Sequence, residues 1–289
     1  MKSFFYTKSQ SLNQYVKQIE ELRKVILLTP LSPRYKNQLR WQILNKRIKL
    51  FFQFLNRDYS NKEFSRIKDS LNYIYQNWMA TDEPISYSTV VKLYSQTFDG
   101  RLIITQKEIE ESIKYIQVSS EHPIIQAALA KIIFFSLNAF SKDNEPFSDL
   151  IFTLFLYKYG YDFRRIVPYE EYFLKDKKDY QETIYSAIKK QNLTQWLEYF
   201  TSGLIKQLEN TISEIKLKKV ERSTTFNLNE RQKKILFMFE EPNVKITNKV
   251  VMKEFKIAPV TAARDLGKLT HLNLILMVGK GRSTYYLKV

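Results

Sequence analysis

Apolar residues recur along most of the chain at the spacing of a helix face. Leu12, Tyr15, Ile19, Leu22 and Ile26 follow one another at i, i+3 or i+4. The run at 29–35, with Pro30 and Pro33, stops that helix. A second periodic run passes through Leu39, Ile43, Leu44, Ile48, Phe51 and Leu55, and a third through Ile67, Leu71, Ile74 and Trp78. After Pro84, Ser86 or Ser88 is placed to cap a helix through Val90, Leu93 and Tyr94. Asp99-Gly100 marks a turn, and 101–105 is expected as a short strand. Helices are then expected at 106–117, 123–137, 147–159, 168–174, 177–189 and 194–215, with a polar loop at 139–146 and Gly160 as a C-cap.

The pattern changes near the end. Segment 216–226 loses its apolar period, is rich in charge and is expected as a linker. Beyond it, Asn229 is placed to cap a helix through Ile235, Leu236 and Phe239, and Thr247 or Asn248 a second through Val251 and Phe255. A third helix starts around Pro259, a residue tolerated in a first turn. Segments 274–278 and 283–289 then read as two strands joined by a tight turn at 279–282. This is the layout of a winged helix-turn-helix, whose second motif helix enters the major groove of DNA. Ile257, Ala262, Leu266 and Leu269 are expected in its core. Pro259, Val260, Thr261, Ala263, Arg264 and Lys268 are expected towards DNA, with Lys280 and Arg282 at the tip of the wing.

Composition narrows the function classes. The chain of 289 residues has no cysteine and two histidines, His122 and His271, which excludes a disulfide scaffold and leaves no basis for a thiolate or His-built metal site. Its N-terminus turns polar too soon for a signal peptide. The longest apolar runs, such as 132–135 and 151–156, fall far short of the roughly 20 residues of a membrane span, so a cytoplasmic protein without a membrane partner is expected. The net charge is +16, and residues 227–289 hold twelve Lys and Arg against five Asp and Glu. Such an excess favours a polyanionic partner. The abundance of Lys, Asn, Ile, Tyr and Phe is also what an AT-rich coding sequence produces, so charge alone does not decide.

One stretch carries a more specific signal. His122-Pro123, Ala127-Ala128, Ala130, Phe140, Asn144 and the phrase YKYGYDFRR at 157–165 stand at the spacing of the central region of the Fic family, and segments 70–98, 170–180 and 192–209 extend the likeness. The chain resembles that family over roughly residues 60–289. The resemblance implies a mainly α fold with a helical Fic-like domain at 60–215; the N-terminal helical segment at 1–59 precedes the matched region and is not placed by it, and the linker at 216–226 and the winged helix at 227–289 follow. It also implies an enzyme that transfers AMP from Mg–ATP to a protein hydroxyl. The family loop has the form HPFxDGNGRxxR, and here it departs from that form. Asn138 stands at the catalytic histidine, Ala139 at the following proline and Lys142 at the metal-binding acid. Asp143, Asn144 and Glu145 replace the Gly-Asn-Gly cradle, Pro146 the phosphate-binding arginine, and Asp149 the later arginine.

An amide has no usable pKa near neutrality and cannot serve as the general base. A protonated lysine cannot ligate a divalent cation, and carboxylates beside a phosphate cradle repel it. The expectation is therefore a catalytically inactive Fic-like protein, without cofactor or metal, acting as a DNA-binding regulator. Its Fic-like domain would serve for homodimerisation, partner binding or ligand sensing. The alternatives are a residual or rewired adenylyltransferase built around Asp143, Glu145 and Asp149, which would need ATP and Mg, and a protein-interaction scaffold. Two further absences agree with lost activity. There is no good match to the family's inhibitory helix pattern, and the substrate-aligning flap is reduced to 101–105. His122 is expected to cap a helix, and His271 to lie at the surface.

Overall fold

The computed structural model describes residues 4–118, 121–225, 228–239, 244–272, 274–279 and 281–288. The protein is mainly helical. Its chain divides into two compact units, one formed by Met1–Thr29 with Gln38–Ser213, the other by Pro30–Asn37 with Glu214–Val289.

The larger unit is built around two helices, α6 (Pro123–Leu137) and α7 (Asn144–Lys158). Every residue of α6 from Ile124 to Phe134 is buried, as is α7 from Pro146 to Lys158 apart from Asp149. A helix apolar all round has to be enclosed on every side, and the other helices do this. They are α1 (Gln10–Leu28), α2 (Pro33–Phe54), α3 (Asn61–Trp78), α4 (Tyr87–Thr97), α5 (Gln106–Val118), α8 (Glu170–Lys175), α9 (Lys177–Lys190) and α10 (Thr194–Thr225). Packing on α6 is direct at Ala127, Ala128 and Ala130, whose small side chains let neighbours approach. Trp196 of α10 is fully buried and donates its indole N–H to the Ala128 carbonyl at 3.1 Å. Phe200, one turn on, meets Phe152 of α7 edge to face at 5.1 Å.

Local chemistry sets the helix starts. Ser60 and Glu63 form a reciprocal capping box on α3, and Ser86 caps α4 through the Thr89 amide. After α7, Gly160 takes φ +74°, and three consecutive residues, Phe163, Arg164 and Arg165, also have positive φ. Side chains and neighbouring backbone hold that left-handed turn, which costs L residues about 1–2 kcal/mol each. Arg164 Nη1 donates to the Ile26 carbonyl at 3.0 Å and the Thr29 carbonyl at 2.5 Å, at the end of α1. Arg40 Nε donates to the Arg164 carbonyl at 2.9 Å.

Three expectations differ from what is seen. Segment 1–59 is not separate, because α1 and most of α2 belong to the larger unit. Phe5 pairs with Asn192, Ser9 bonds Glu198, and Arg47 forks onto Glu170. The segment expected as a linker is helical through Thr225, since α10 continues past its apolar stretch. Lys-rich sequence has good helix propensity even without an apolar face. Segment 101–105 forms no strand, only an isolated bridge from Leu102 to Phe140.

The smaller unit holds α11 (Glu230–Phe237), α12 (Asn248–Phe255), α13 (Pro259–His271) and an antiparallel pair, β1 (Ile275–Val278) with β2 (Tyr285–Lys288). Asn229 and Thr247 cap α11 and α12, and Lys256 ends α12 in the left-handed conformation. Ile235, Phe239, Ile246, Val251, Ala262, Leu266, Leu269, Ile275 and Tyr286 form one buried cluster, with Ile257 packed against it. Ile246 also exchanges two backbone hydrogen bonds with Tyr286, at 3.0 and 2.7 Å, so the chain entering α12 lies along β2.

One polar contact inside this unit is not visible from periodicity. Asp265 lies on the buried stripe of α13, 3% exposed. It accepts from Arg231 Nε at 2.6 Å and Gln232 Nε2 at 2.8 Å, both on α11. Asp265→Ala leaves the buried Gln232 amide without its acceptor, and is expected to cost about 2 kcal/mol. The loss should appear as faster amide exchange across α11 and α13; unchanged protection there would show that the Asp265 contacts are dispensable.

Candidate functional site

The loop between α6 and α7 is the segment whose residues resemble a catalytic motif. Asn138 ends α6 in the left-handed conformation, φ 49°, and its side chain is exposed. Asp143 starts α7 at φ 56° without capping it through its side chain. Between them the loop is closed by its own groups. The Asn144 carboxamide accepts from the Phe140 amide at 2.8 Å and donates to the Phe140 carbonyl at 2.5 Å. Tyr94 stacks on Phe140 with ring centroids 3.5 Å apart, and its hydroxyl donates to the Lys142 carbonyl at 2.8 Å. Burial, aided by the Asp143 carboxylate, pushes the Tyr94 phenol up to about 12, so it stays a proton donor. A Cβ on Gly100 would fall 1.9 Å from the Tyr94 oxygen, so only glycine fits there.

The strip at 101–105, to which the flap is expected to be reduced, lies on this loop. Ile103 donates its amide to the Ala139 carbonyl, and Ser141 donates its own to the Arg101 carbonyl, each at 2.9 Å. The Arg101 amide donates to Ser141 Oγ at 3.0 Å. Backbone groups of 139 and 141 are thereby committed within the protein.

Behind the loop lies an ionic cluster around one buried lysine and half-buried carboxylates. Lys131 of α6, 3% exposed, is hydrogen-bonded to Asp149 of α7, and its ammonium lies 5.5 Å from the ring centre of Tyr180 on α9. Burial works against charge on Lys131, but Asp149 and Tyr180 outweigh it and hold its pKa above the ordinary lysine value. Burial likewise raises the carboxyls of Glu145 and Asp149, with Lys131 opposing in both cases. Farther along α7, Arg47 donates to Thr153 Oγ1 at 3.0 Å and to Glu170 at 2.7 Å.

Mg–ATP would meet an unsuitable set of groups at this loop. Lys142 is exposed at the position of the metal-binding acid. Pro146 has no amide to offer in the first turn of α7, where an anion would be cradled. Glu145 puts a carboxylate in that same turn, and the cation nearest Asp149 is already paired with it. The group does not fit. Among the described residues, no cluster of three His, Asp or Glu groups is able to hold a metal ion.

The structure brings Glu145 and Asp149 together around Lys131 and leaves Asn138 and Lys142 at the rim. Sequence reasoning misses Lys131 and its pairing with Asp149. One signal is available, because Lys131 is the single charged residue in α6. His122 is the N-cap of α6, accepting from the Ile124 amide at 3.3 Å, and lies roughly 20 Å from the loop, the length of the helix. Burial, ahead of the opposing Glu20 carboxylate, keeps its pKa below the ordinary value, which suits that acceptor role.

No family model matches the chain, and no curated protein matches it in sequence. Solved structures do match. A Fic family protein from Desulfovibrio desulfuricans G20 superposes with a TM-score of 0.61 at 13% identity, covering 98% of this chain and 97% of that one. The fold is a Fic fold. A fragment of Fic-1 from C. elegans gives 0.56 at 12% identity, over 70% of this chain and 72% of that one. A Fic domain containing signaling protein from Bacteroides thetaiotaomicron VPI-5482 gives 0.50 at 13%, over 70% and 97%. At these identities the likeness concerns the Fic fold and not an activity. Among the described residues, no helix is long and apolar enough to cross a membrane.

In the smaller unit, α13 presents two distinct faces. Ala262, Asp265, Leu266 and Leu269 are buried, while Val260, Ala263, Arg264 and Lys268 are exposed and Thr261 is half-buried. Pro259 and His271 are exposed as well. Lys280 and the side chain of Arg282 lie outside the described residues.

Two outcomes follow from the ionic cluster. Lys131→Met leaves Asp149 unpaired and is expected to cost about 3 kcal/mol in denaturant unfolding, most of it recovered in the Lys131→Met, Asp149→Leu double variant. A double variant no better than the single one would contradict this. Glu145→Gln tests the strain of a carboxylate whose pKa is raised by folding. Its cost is present when it is ionised and vanishes below the unfolded value of 4.5. The variant should therefore be more stable than wild type at pH 7 and lose that advantage as pH falls below about 4.5; an advantage independent of pH would rule out this cause.

Proposed function

We propose that this chain is a catalytically inactive Fic-fold protein that binds DNA through a C-terminal winged helix-turn-helix and acts as a transcriptional regulator. The observation that carries the reading is the outward face of α13, where Arg264 and Lys268 stand exposed above a self-contained core. The order of α11, α12, α13, β1 and β2 is the order such a domain requires. The net charge of +7 over residues 227–289 supplies the attraction to phosphate. The loop supports the other half of the proposal, since the Asn144 carboxamide and the backbone of 139–142 are bonded within the protein and Glu145 opposes a triphosphate. The Fic-fold unit would then serve as a body for dimerisation or sensing.

A second reading, a protein-interaction module, is favoured by the exposure of Phe237, Leu276 and Met277 in the same unit. Salt separates the two. Binding of the full chain to short duplexes of random sequence, followed by fluorescence anisotropy, should weaken steeply between 50 and 200 mM salt, as counterion release demands, on the order of a thousandfold for six phosphate contacts. Arg264→Ala and Lys268→Ala should each weaken binding, and each lost phosphate contact should reduce the slope of log K against log salt by about 1. Absence of duplex binding at low salt by folded protein would overturn the DNA reading.

A further inference from the structure

The inference concerns what α13 reads, and it rests on the DNA-binding proposal. Its outward face is unusual for a helix that must recognise bases. Val260 is 69% exposed in the first turn, one of the most exposed large apolar side chains described. Ala263 follows one turn on, also exposed. The helix contains no Asn or Gln, so the paired contact that identifies adenine is absent along its whole length. Arg264 is the single arginine in it, and Lys268 sits one turn later. Both cations stand on the same face as Val260, so the apolar group is flanked by charge that would draw it towards a phosphate backbone.

We infer that Val260, with Ala263 beside it, recognises the 5-methyl groups of thymines in the major groove. The thymine methyl is the one apolar group that base edges present in that groove, and small apolar side chains are its usual partners. Left in water, Val260 gains nothing by its exposure. Against a methyl group it removes apolar surface on both sides. Arg264 and Lys268 then hold the helix in register on phosphates, and sequence preference comes from methyl contacts and not from hydrogen bonds. Gly267 agrees with a close approach. It lies on the same face, and an added Cβ there would meet nothing within 4 Å in the protein, so internal packing does not demand glycine. A glycine in mid-helix costs about 1 kcal/mol relative to alanine.

The test uses the full chain and a pool of short randomised duplexes from which bound sequences are selected. The best of these is remade with deoxyuridine replacing thymidine at one position at a time. That change removes a methyl group and leaves the base pairing intact. Selected sequences should carry A·T pairs under α13, and replacement at one or two of those thymidines should weaken binding about three- to fourfold each, the worth of one buried methyl. Val260→Ser, at an exposed position where folding is not at stake, should weaken binding to the thymidine duplex about as much as the lost methyl contact is worth and abolish the difference between thymidine and deoxyuridine. Equal affinity for the two duplexes would overturn the inference and leave DNA binding standing, as would selection of G·C pairs lost in Arg264→Ala. Failure of folded wild-type protein to bind any duplex, or its binding to protein partners alone, would overturn the DNA reading and this inference with it.

Discussion

The enclosure of α6 against α7 is the constraint on which the larger unit depends. Two helices that are apolar on nearly every side cannot face water, so α3, α5, α9 and α10 are recruited around them, and the connecting loop is held where the two helices converge. The Lys131–Asp149 pair sits inside this enclosure. A buried pair of this kind adds little net stability over apolar residues, because desolvation consumes most of the Coulombic gain. Its effect is on register, since either charge left alone is expensive. The same pair commits the buried Lys131 cation behind the loop to a carboxylate of the protein.

The loop inherits its character from that arrangement. A Fic fold places a helix N-terminus beside a turn, a geometry able to receive an anion. Here the turn is folded onto itself through Asn144 and Tyr94, the first helical turn carries Glu145 and Pro146, and the strip at 101–103 bonds the loop backbone. The backbone of 139–142 and the Asn144 carboxamide are bonded within the protein, while Glu145 and Pro146 give the first turn of α7 a carboxylate and one amide fewer.

Much of the fold is legible in the residues, and the reason is local. Helix starts follow from Ser86, Asn229 and Thr247, whose side chains cap within three residues of themselves. The buried stripe of α13 follows from the 3.6 period, and so do its outward residues. What is not legible is tertiary. The pairing of Lys131 with Asp149, of Arg47 with Glu170 and of Asp265 with Arg231 joins helices whose approach no period encodes. The course of α10 through the charged segment is set by helix propensity, which competes there with the loss of an apolar face. The left-handed turn at Phe163–Arg165 is tertiary too, because carbonyls at the end of α1 accept from the Arg164 side chain and Arg40 of α2 donates to the Arg164 carbonyl. Within the candidate site, the departures from the family pattern are visible in sequence, but the internal use of the loop's groups is visible only in structure.

The central claim is that the loop of this Fic fold no longer holds a nucleotide. Its most direct test is the thermal unfolding midpoint of the full chain, measured with increasing millimolar Mg–ATP and followed by intact mass. A ligand bound only by the folded state raises stability as RT ln(1 + [L]/Kd). An unchanged midpoint and an unchanged mass are predicted. A midpoint that climbs with nucleotide concentration, or a mass increased by one AMP, would contradict the claim and return the chain to the nucleotidyl transferases.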